Sequence, residues 1–312
     1  MASRWARALA ATMAWLMAPA CAFAQAWPAP DGTGAVTVST QVIDNTGHRM
    51  TDGYWLQDGK SRDVSAMVEF DYALTDRLSI SVGLPYVFAK YIGPGPTPAE
   101  ALGGGVTVDT CRCWHGAWQD VGATARFTVV DGRVALTPSV SIGAPTHNYE
   151  FEGEAVAGYG LTQIRLALDG GVRLDPISPR LAVQARYQYA VVEDVLDVPN
   201  NRSNWSTSAS YLLSPRLSVR GGASWQRTHG GLRFGSITGV PFSPPGEAST
   251  PELFPQHDRL LRDNSWHLGA GTTYALPHVD VFVSYVQFMG GTDTHSGKAL
   301  TVGTSWVFRT GR

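Results

Sequence analysis

Within five residues, Cys111-Arg112-Cys113-Trp114-His115 brings together two thiols and an imidazole. Two chemistries suit that set. A disulfide between Cys111 and Cys113 would close a small ring of unusual geometry, because residues two apart in sequence sit close together. Two thiolates and an imidazole would also suit a soft metal ion. Histidine placement bears on the second reading. His48, His115, His147, His229, His257 and His295 fall in segments that read as long loops on one side of the molecule. They could assemble a metal-binding mouth, or simply reflect the polar composition of loops. No ligand spacing matches a zinc pattern.

Hydrolysis would need a nucleophile beside a base. The chain has no His-x-Ser and no Gly-x-Ser-x-Gly elbow. His295-Ser296 are adjacent, and neighbours in a strand face opposite ways. A nucleophile and base from separate strands would be the remaining route to a lipid hydrolase.

The elements that must position these groups are strands. Leu78, Ile80, Val82, Leu84, Tyr86 and Phe88 alternate with Ser79, Ser81, Gly83, Pro85, Val87 and Ala89. Residues two apart in a strand share a face, so one face is large and apolar and the other mostly small. The spacing predicts twelve strands at 35–45, 64–74, 78–90, 118–130, 134–144, 160–173, 180–192, 204–213, 216–227, 264–276, 279–289 and 299–308. Short turns such as Thr75-Asp76-Arg77, Asp131-Gly132-Arg133 and Ser214-Pro215 alternate with long loops at 46–63, 91–117, 145–159, 193–203, 228–263 and 290–298. Asp, Gly and Pro suit tight turns for steric reasons. Segments of about ten residues, alternating short and long connections, and aromatic rings near strand ends (Tyr91, Trp118, Trp225, Trp266, Trp306, Phe308) describe a transmembrane antiparallel up-and-down β-barrel of the bacterial outer membrane. An even strand count puts both chain ends on the periplasmic side, with the short turns.

Bulk properties agree with this all-β reading. Mean hydropathy is -0.08, as expected when barrel strands are only half apolar. No run of eighteen apolar residues follows the N-terminus, which excludes a helical membrane protein. Arg4 and Arg7, the apolar stretch Ala8 to Ala18, and Ala22-Phe23-Ala24 form a signal peptide cleaved after Ala24. Cys21 makes a poor lipid-attachment site because Pro19 sits inside the box. The expected organisation is a signal peptide at 1–24, a periplasmic N-terminal segment at 25–34 and the barrel at 35–312. Without Arg4 and Arg7 the chain carries 22 basic and 26 acidic groups, so nothing suggests nucleic acid.

The inward positions define a lumen. Glu69, Asp71, Asp120 and Asp169 are assigned to it, with Arg126, Arg165, Arg173, Arg180, Arg186 and Arg220. These charges could pair into a structural network, because a charge buried alone is costly. They could also line a water-filled pore, where charged rings set selectivity. The candidate selectivity residues are Glu69, Asp71, Asp120, Arg126, Arg165, Arg173, Arg186 and Arg220, with Asp120 and Arg126 expected to help lock the interior. Pro85 lacks an N–H and must stand where a ladder bond is broken, as at a bulge. The 36-residue loop Thr228 to Asp263 carries five prolines and is either a gate over the mouth or a mobile surface loop.

Two segments carry a resemblance. Ser81-Val82-Gly83-Leu84-Pro85-Tyr86-Val87 and Asp120-Val121-Gly122-Ala123-Thr124-Ala125-Arg126-Phe127 are similar to strand motifs of the outer-membrane family named for the "MetA pathway of phenol degradation". The likeness extends from about Val64 to Phe308 as strand rhythm more than identity. Gln119 stands where that family usually has Gly. The resemblance implies an outer-membrane transporter or channel, with small hydrophobic or aromatic compounds as its solutes.

The resulting expectation is a non-enzymatic barrel for passive passage of small molecules, with no cofactor. Its expected partners are outer-membrane lipid, the barrel-assembly machinery and the solute. The alternatives are a structural or surface-binding barrel with an occluded lumen, whose outer loops bind metal, and an outer-membrane lipid hydrolase.

Overall fold

The computed structural model describes residues 26–57, 60–92, 113–149, 158–235, 244–245, 250, 252–253 and 256–310. The expected signal peptide and Cys111 lie outside these. The strands are β1 (Thr33–Arg49), β2 (Trp55–Leu56), β3 (Lys60–Ala73), β4 (Leu78–Ile92), β5 (His115–Trp118), β6 (Asp120–Phe127), β7 (Val134–Pro145), β8 (Gln163–Arg173), β9 (Leu181–Val192), β10 (Asn200–Ser214) and β11 (Leu217–Gly230). A one-turn helix α1 (His257–Leu260) follows, then β12 (Asn264–Ala275), β13 (Val279–Thr292) and β14 (Thr294–Arg309). β2 is a two-residue addition to β1, and β5 with β6 forms one stave interrupted at Gln119. The remaining strands pair antiparallel in chain order, and β14 pairs with β1 from Thr33↔Arg309 to Arg49↔Thr294. The result is a closed twelve-stave barrel with no free sheet edge.

The outward face is apolar around the ring. Val68, Leu166 and Trp306 are 49%, 56% and 59% exposed. A continuous band of this kind far exceeds the patches a water-soluble protein tolerates, so lipid must cover it. Tyr187, Trp205, Trp225 and Trp266 are cross-strand neighbours on that face, with the Tyr187 and Trp205 rings 4.4 Å apart. They form an aromatic row near the long-loop end, at the depth where interfacial rings belong. The interior is polar instead, and Ser81, Thr137, Ser141, Asp169 and Ser305 are all buried there.

Pro85 stands at a break in the ladder. Tyr86 pairs with Trp118 and Gly83 with Gly122, so β5–β6 carries one residue more than β4 over that stretch. The extra residue is taken up around Gln119, whose N–H donates to the Pro85 carbonyl at 2.9 Å. The missing Pro85 N–H therefore costs no ladder bond.

Two expectations about boundaries are corrected. The segment 290–298 is not a long loop, since only Asp293 separates β13 from β14. Its residues pair sideways, Thr292 with Asn264 on β12 and His295 with His48 on β1. Glycines 290, 291 and 297 imitated a loop, but they are close-approach positions. A Cβ on Gly297 would lie 2.3 Å from the Asp44 carbonyl oxygen. Several strands also run further toward the long-loop end than expected, so His48, His115, His229 and His295 are strand residues.

Candidate functional site

Strand register decides which side chains face the lumen. Glu69 lies opposite Gly83, Asp71 opposite Ser81, Arg126 opposite Ser139, Arg165 opposite Ser141, Asp169 opposite Arg186, Arg173 opposite Ala182 and Arg220 opposite Ser210. With Asp120, which pairs Pro145, all eight candidate selectivity residues are on inward positions. Arg180 is not, because it falls in the turn between β8 and β9.

The charges are unevenly distributed around the ring. On the β3–β9 arc they are mostly tied together. Arg126 donates to Ser81, which donates to Asp71, and the Arg126 guanidinium lies 3.8 Å from the Asp71 carboxylate. Arg186 pairs with Asp169 at 2.8 Å and donates to Gln188 at 3.2 Å. Asp120, expected with Arg126 to help lock the interior, lies six residues from it along β6 and has a different partner. It accepts a hydrogen bond from the Tyr149 hydroxyl, in the loop after β7. Burial and the Asp120 carboxylate push the Tyr149 phenol well above its ordinary value, which keeps it a donor. Arg165 lies across the floor left by two glycines: its terminal nitrogen is 3.5 Å from where a Gly122 Cβ would stand and 3.6 Å from a Gly143 Cβ.

The β10–β13 arc is different. Midway along β10–β12 its inward positions are small, Ser206, Ser208, Ser210, Ser218, Gly222, Ser224, Gly269 and Gly271, whereas β13 turns Phe282, Val286 and Phe288 inward around Ser284. Arg220 on this arc is solvent-exposed inside the lumen and without an ion pair among the described residues, while Arg202 nearer the long-loop end stacks over Tyr159 at 4.9 Å. Toward the long-loop end, a cavity of about 290 Å³ opens against Arg186, Asn204, Ser206, Ser224, Gln226 and His267.

Both ends of the lumen are spanned. At the long-loop end, residues 231–235 and 256–263 of the 228–263 loop run together as a crossbar. Leu232 exchanges hydrogen bonds with Leu260 and Arg262. One side of it packs Leu232, Leu253 and Leu260 against Leu161, Ala190, Val192 and Val198 at the β8–β10 rim. The other packs Phe234 and Leu261 against Met50 and Leu56 beside β1. Around a ring of twelve staves, β10 lies five from β1, so the crossbar traverses the mouth. Asp293 anchors it by accepting from the Phe234 N–H at 2.9 Å and from the Thr51 hydroxyl. Burial raises the Asp293 carboxyl above its ordinary value despite those two bonds and the nearby Arg262 and Arg233.

At the short-turn end, the N-terminal residues enter the barrel, an arrangement not foreseen from sequence. Ala26 and Trp27 are buried against Ala135 and Ala182 on the inner wall. The Ala26 N–H donates to the Gln184 amide oxygen at 3.2 Å, and Thr137 donates to the Ala26 carbonyl at 2.8 Å. The Trp27 indole N–H donates to the Gly132 carbonyl at 2.8 Å, and the ring lies 5.2 Å under the Arg173 guanidinium. Gly171 makes the room, because a Cβ there would lie 2.6 Å from the indole. β8 is five staves from β1, so residues 28–32 strap the opening on their way to Thr33. Six steps of extended chain reach about 20 Å, enough for such a crossing. A tryptophan followed by Pro28-Ala29-Pro30 was the only hint in sequence.

The metal and hydrolase alternatives find partial geometry. Cys113 is disulfide-bonded, so it offers no thiolate. His257 and His295 flank Asp258 at 3.2 and 3.7 Å, and the His48 ring lies 4.9 Å from His295. No group of three or more His, Cys, Asp or Glu is placed to hold a metal ion among the described residues. His295 and Ser296 do not meet, as Ser296 donates to the Gly47 carbonyl at 3.1 Å. A serine–histidine pair does form across strands, with Ser203 Oγ 2.8 Å from His229 Nε2 on the outward face. Sequence spacing could not show it, because the two residues lie on different strands. No carboxylate orients the other imidazole nitrogen among the described residues.

No known family profile matches the sequence, and no curated protein sequence matches it. Solved structures do. The COG4313 outer membrane channel from Pseudomonas putida F1 aligns with a TM-score of 0.65 at 17% identity, covering 90% of this chain and 98% of that one. The NanC porin aligns with a TM-score of 0.50 at 9% identity, covering 86% and 98%. The chain has the fold of an outer-membrane β-barrel. At these identities the likeness speaks for the fold alone.

Proposed function

We propose that this chain is a passive outer-membrane channel for small water-soluble molecules. The observation that carries the reading is the strip of hydroxyls and glycines midway along β10–β12, beside an interior that is elsewhere filled by ion pairs and by the β13 rings Phe282 and Phe288. Large or ion-paired side chains would fill that strip in a barrel built only to be packed. The long-loop end faces outward, the short turns face the periplasm, and both chain ends are periplasmic. The two structural neighbours, an outer membrane channel and a porin, support the reading, as does the resemblance to a family of outer-membrane transporters. Hydroxyls and amides along the strip favour polar solutes over the hydrophobic or aromatic ones implied by that resemblance. The crossbar and the strap make this a gated conformation.

The test is single-channel recording of the purified protein in planar bilayers, paired with swelling of proteoliposomes in small polar solutes. Discrete ohmic steps and swelling are expected. Silence in both, from protein that shows the heat-dependent gel mobility of a folded barrel, would mean a sealed structural barrel.

A further inference from the structure

The cavity under the crossbar has a chemistry of its own. Two tiers of cross-strand neighbours build its wall. The first is Gln188–Asn204–Gln226–Ser265 and the second Arg186–Ser206–Ser224–His267. Adjacent strands stand about 4.8 Å apart and successive inward residues about 7 Å apart along a strand, so the eight positions tile one compact patch. The crossbar closes it from above, where Gln226 donates to Asp263 at 2.8 Å.

Within the patch Arg186 is held by Asp169 and Gln188, and Asp263 accepts from Gln226 through one carboxylate oxygen while its other oxygen is buried without a hydrogen bond among the described residues. The Asn204 amide and the Ser206, Ser224 and Ser265 hydroxyls make no hydrogen bond among the described residues. Ser265 is only 2% exposed, and its hydroxyl lines the cavity. Ser224 is exposed and Asn204 and Ser206 are half-buried toward the lumen, so these groups are open to a solute or to water that completes their hydrogen bonds. His267 adds a ring that packs edge-on to Phe288 at 5.7 Å.

Resting on the channel reading above, we infer that this cavity is a binding site for a neutral, polyhydroxylated solute, of the chemical class of a single sugar ring. The free groups are one amide, three hydroxyls and one oxygen of Asp263, which together donate to and accept from a ring of hydroxyls, and the carboxylate disfavours an anion. An anion would have to compete with Asp169 for Arg186. An aromatic solute would leave the serines and Asn204 unpaired. The volume of about 290 Å³ lies near the lower end of ligand cavities and holds about ten water-sized groups. The outward aromatic row Tyr187–Trp205–Trp225–Trp266 backs the same strand positions, which places the site at the depth of the outer lipid interface, just inside the mouth. A solute bound there would be the first to be sorted on entry.

The experiment records single-channel current through the full-length protein while D-glucose, or benzoate in a parallel series, is added on the outer side. D-Glucose is expected to interrupt the current in a saturable way. Asn204→Leu and Ser224→Ala should each raise the half-blocking concentration, the former by about tenfold, as the loss of one hydrogen bond implies. Benzoate should not block saturably. Current reduction by glucose that only tracks bulk conductivity, or block unchanged in both variants, overturns the site and leaves the channel standing. If the protein carries no current, calorimetric titration with D-glucose decides separately: binding weakened by Asn204→Leu keeps the site and rejects the channel, while no binding rejects the site.

Discussion

The strap at the short-turn end gives the sharpest perturbation. Trp27 is 8% exposed, donates to Gly132 and lies under Arg173. Truncation to alanine removes indole burial, one hydrogen bond and one cation–π contact. Burial of a large apolar side chain is worth about 2–3 kcal/mol, and the two polar contacts add about 1 kcal/mol each, part of which Ala26 and its own bonds retain. A net loss of about 3 kcal/mol shifts the ratio of seated to released strap by about two orders of magnitude. The assay is open probability and unit conductance in planar bilayers. Trp27→Ala is expected to raise both, and to make a cysteine placed at Ala29 accessible to a thiol reagent added on the periplasmic side. The same result should follow from the opposite partner. Gly171→Val would put its Cβ 2.6 Å from the indole, in a wall whose backbone is pinned by pairing to Ala135 and Gln184, so the ring must leave. Unchanged conductance in both variants, with the folded gel mobility retained, would refute the claim that the strap obstructs the exit.

Arg220→Ala should shift the anion-to-cation permeability ratio toward cations by about sixfold at low salt, since one unit charge at about 8 Å in water acts with opposite sign on anion and cation, read from the reversal potential in a salt gradient. Arg126→Ala should shift it less, because Arg126 is already committed to Ser81 and Asp71. Asp293 makes crossbar docking pH-dependent. Its carboxyl is raised in the folded state, so its contribution is fully present below the ordinary carboxylate value and is lost as pH rises through the raised one. Acidification from neutral pH should therefore lower open probability, and Asp293→Asn should abolish that dependence; an equal response in the variant would place the sensor elsewhere. The Ser203–His229 pair lacks an orienting carboxylate, so p-nitrophenyl ester hydrolysis should stay at the buffer rate. Turnover lost in Ser203→Ala would make the outer wall an enzyme.

What could be read from sequence followed a strict rule. A strand residue's face alternates with period two, and lipid outside against water inside makes that alternation visible even in a chain of near-zero mean hydropathy. Hence the twelve staves and the inward positions of Glu69, Asp71, Arg126 and Arg220 were legible. What was not legible depends on pairings between segments far apart in the chain. Asp120 meets Tyr149 rather than Arg126 because residues 146–149 fold back over the rim, and nothing in either residue's neighbourhood announces it. The Ser203–His229 bond needs the β10–β11 register, which spacing within one strand cannot supply. Glycines 290, 291 and 297 looked like loop residues because close backbone approach and loop freedom both select glycine.

The uneven lumen is the step that turns fold into function. Twelve staves enclose more room than serines and glycines fill, so the arginine–carboxylate ladder of β3–β9 must occupy one side or water will. Pairing Arg126 with Asp71 and Arg186 with Asp169 lets those long side chains lie within the wall rather than across the axis. The strip midway along β10–β12 can then stay open without collapsing the barrel, because the backbone ladder, not side-chain packing, holds the staves together. On the proposed channel reading, selectivity would fall to groups left uncommitted along β10–β12: Arg220 midway down, and Asn204, Ser224 and Ser265 at the mouth. Exchanging Asp71 and Asp169 for asparagine would free Arg126 and Arg186 into that space. Such a barrel should conduct less and prefer anions more strongly, and higher conductance in the double variant would show that the charged arc never bounded the path.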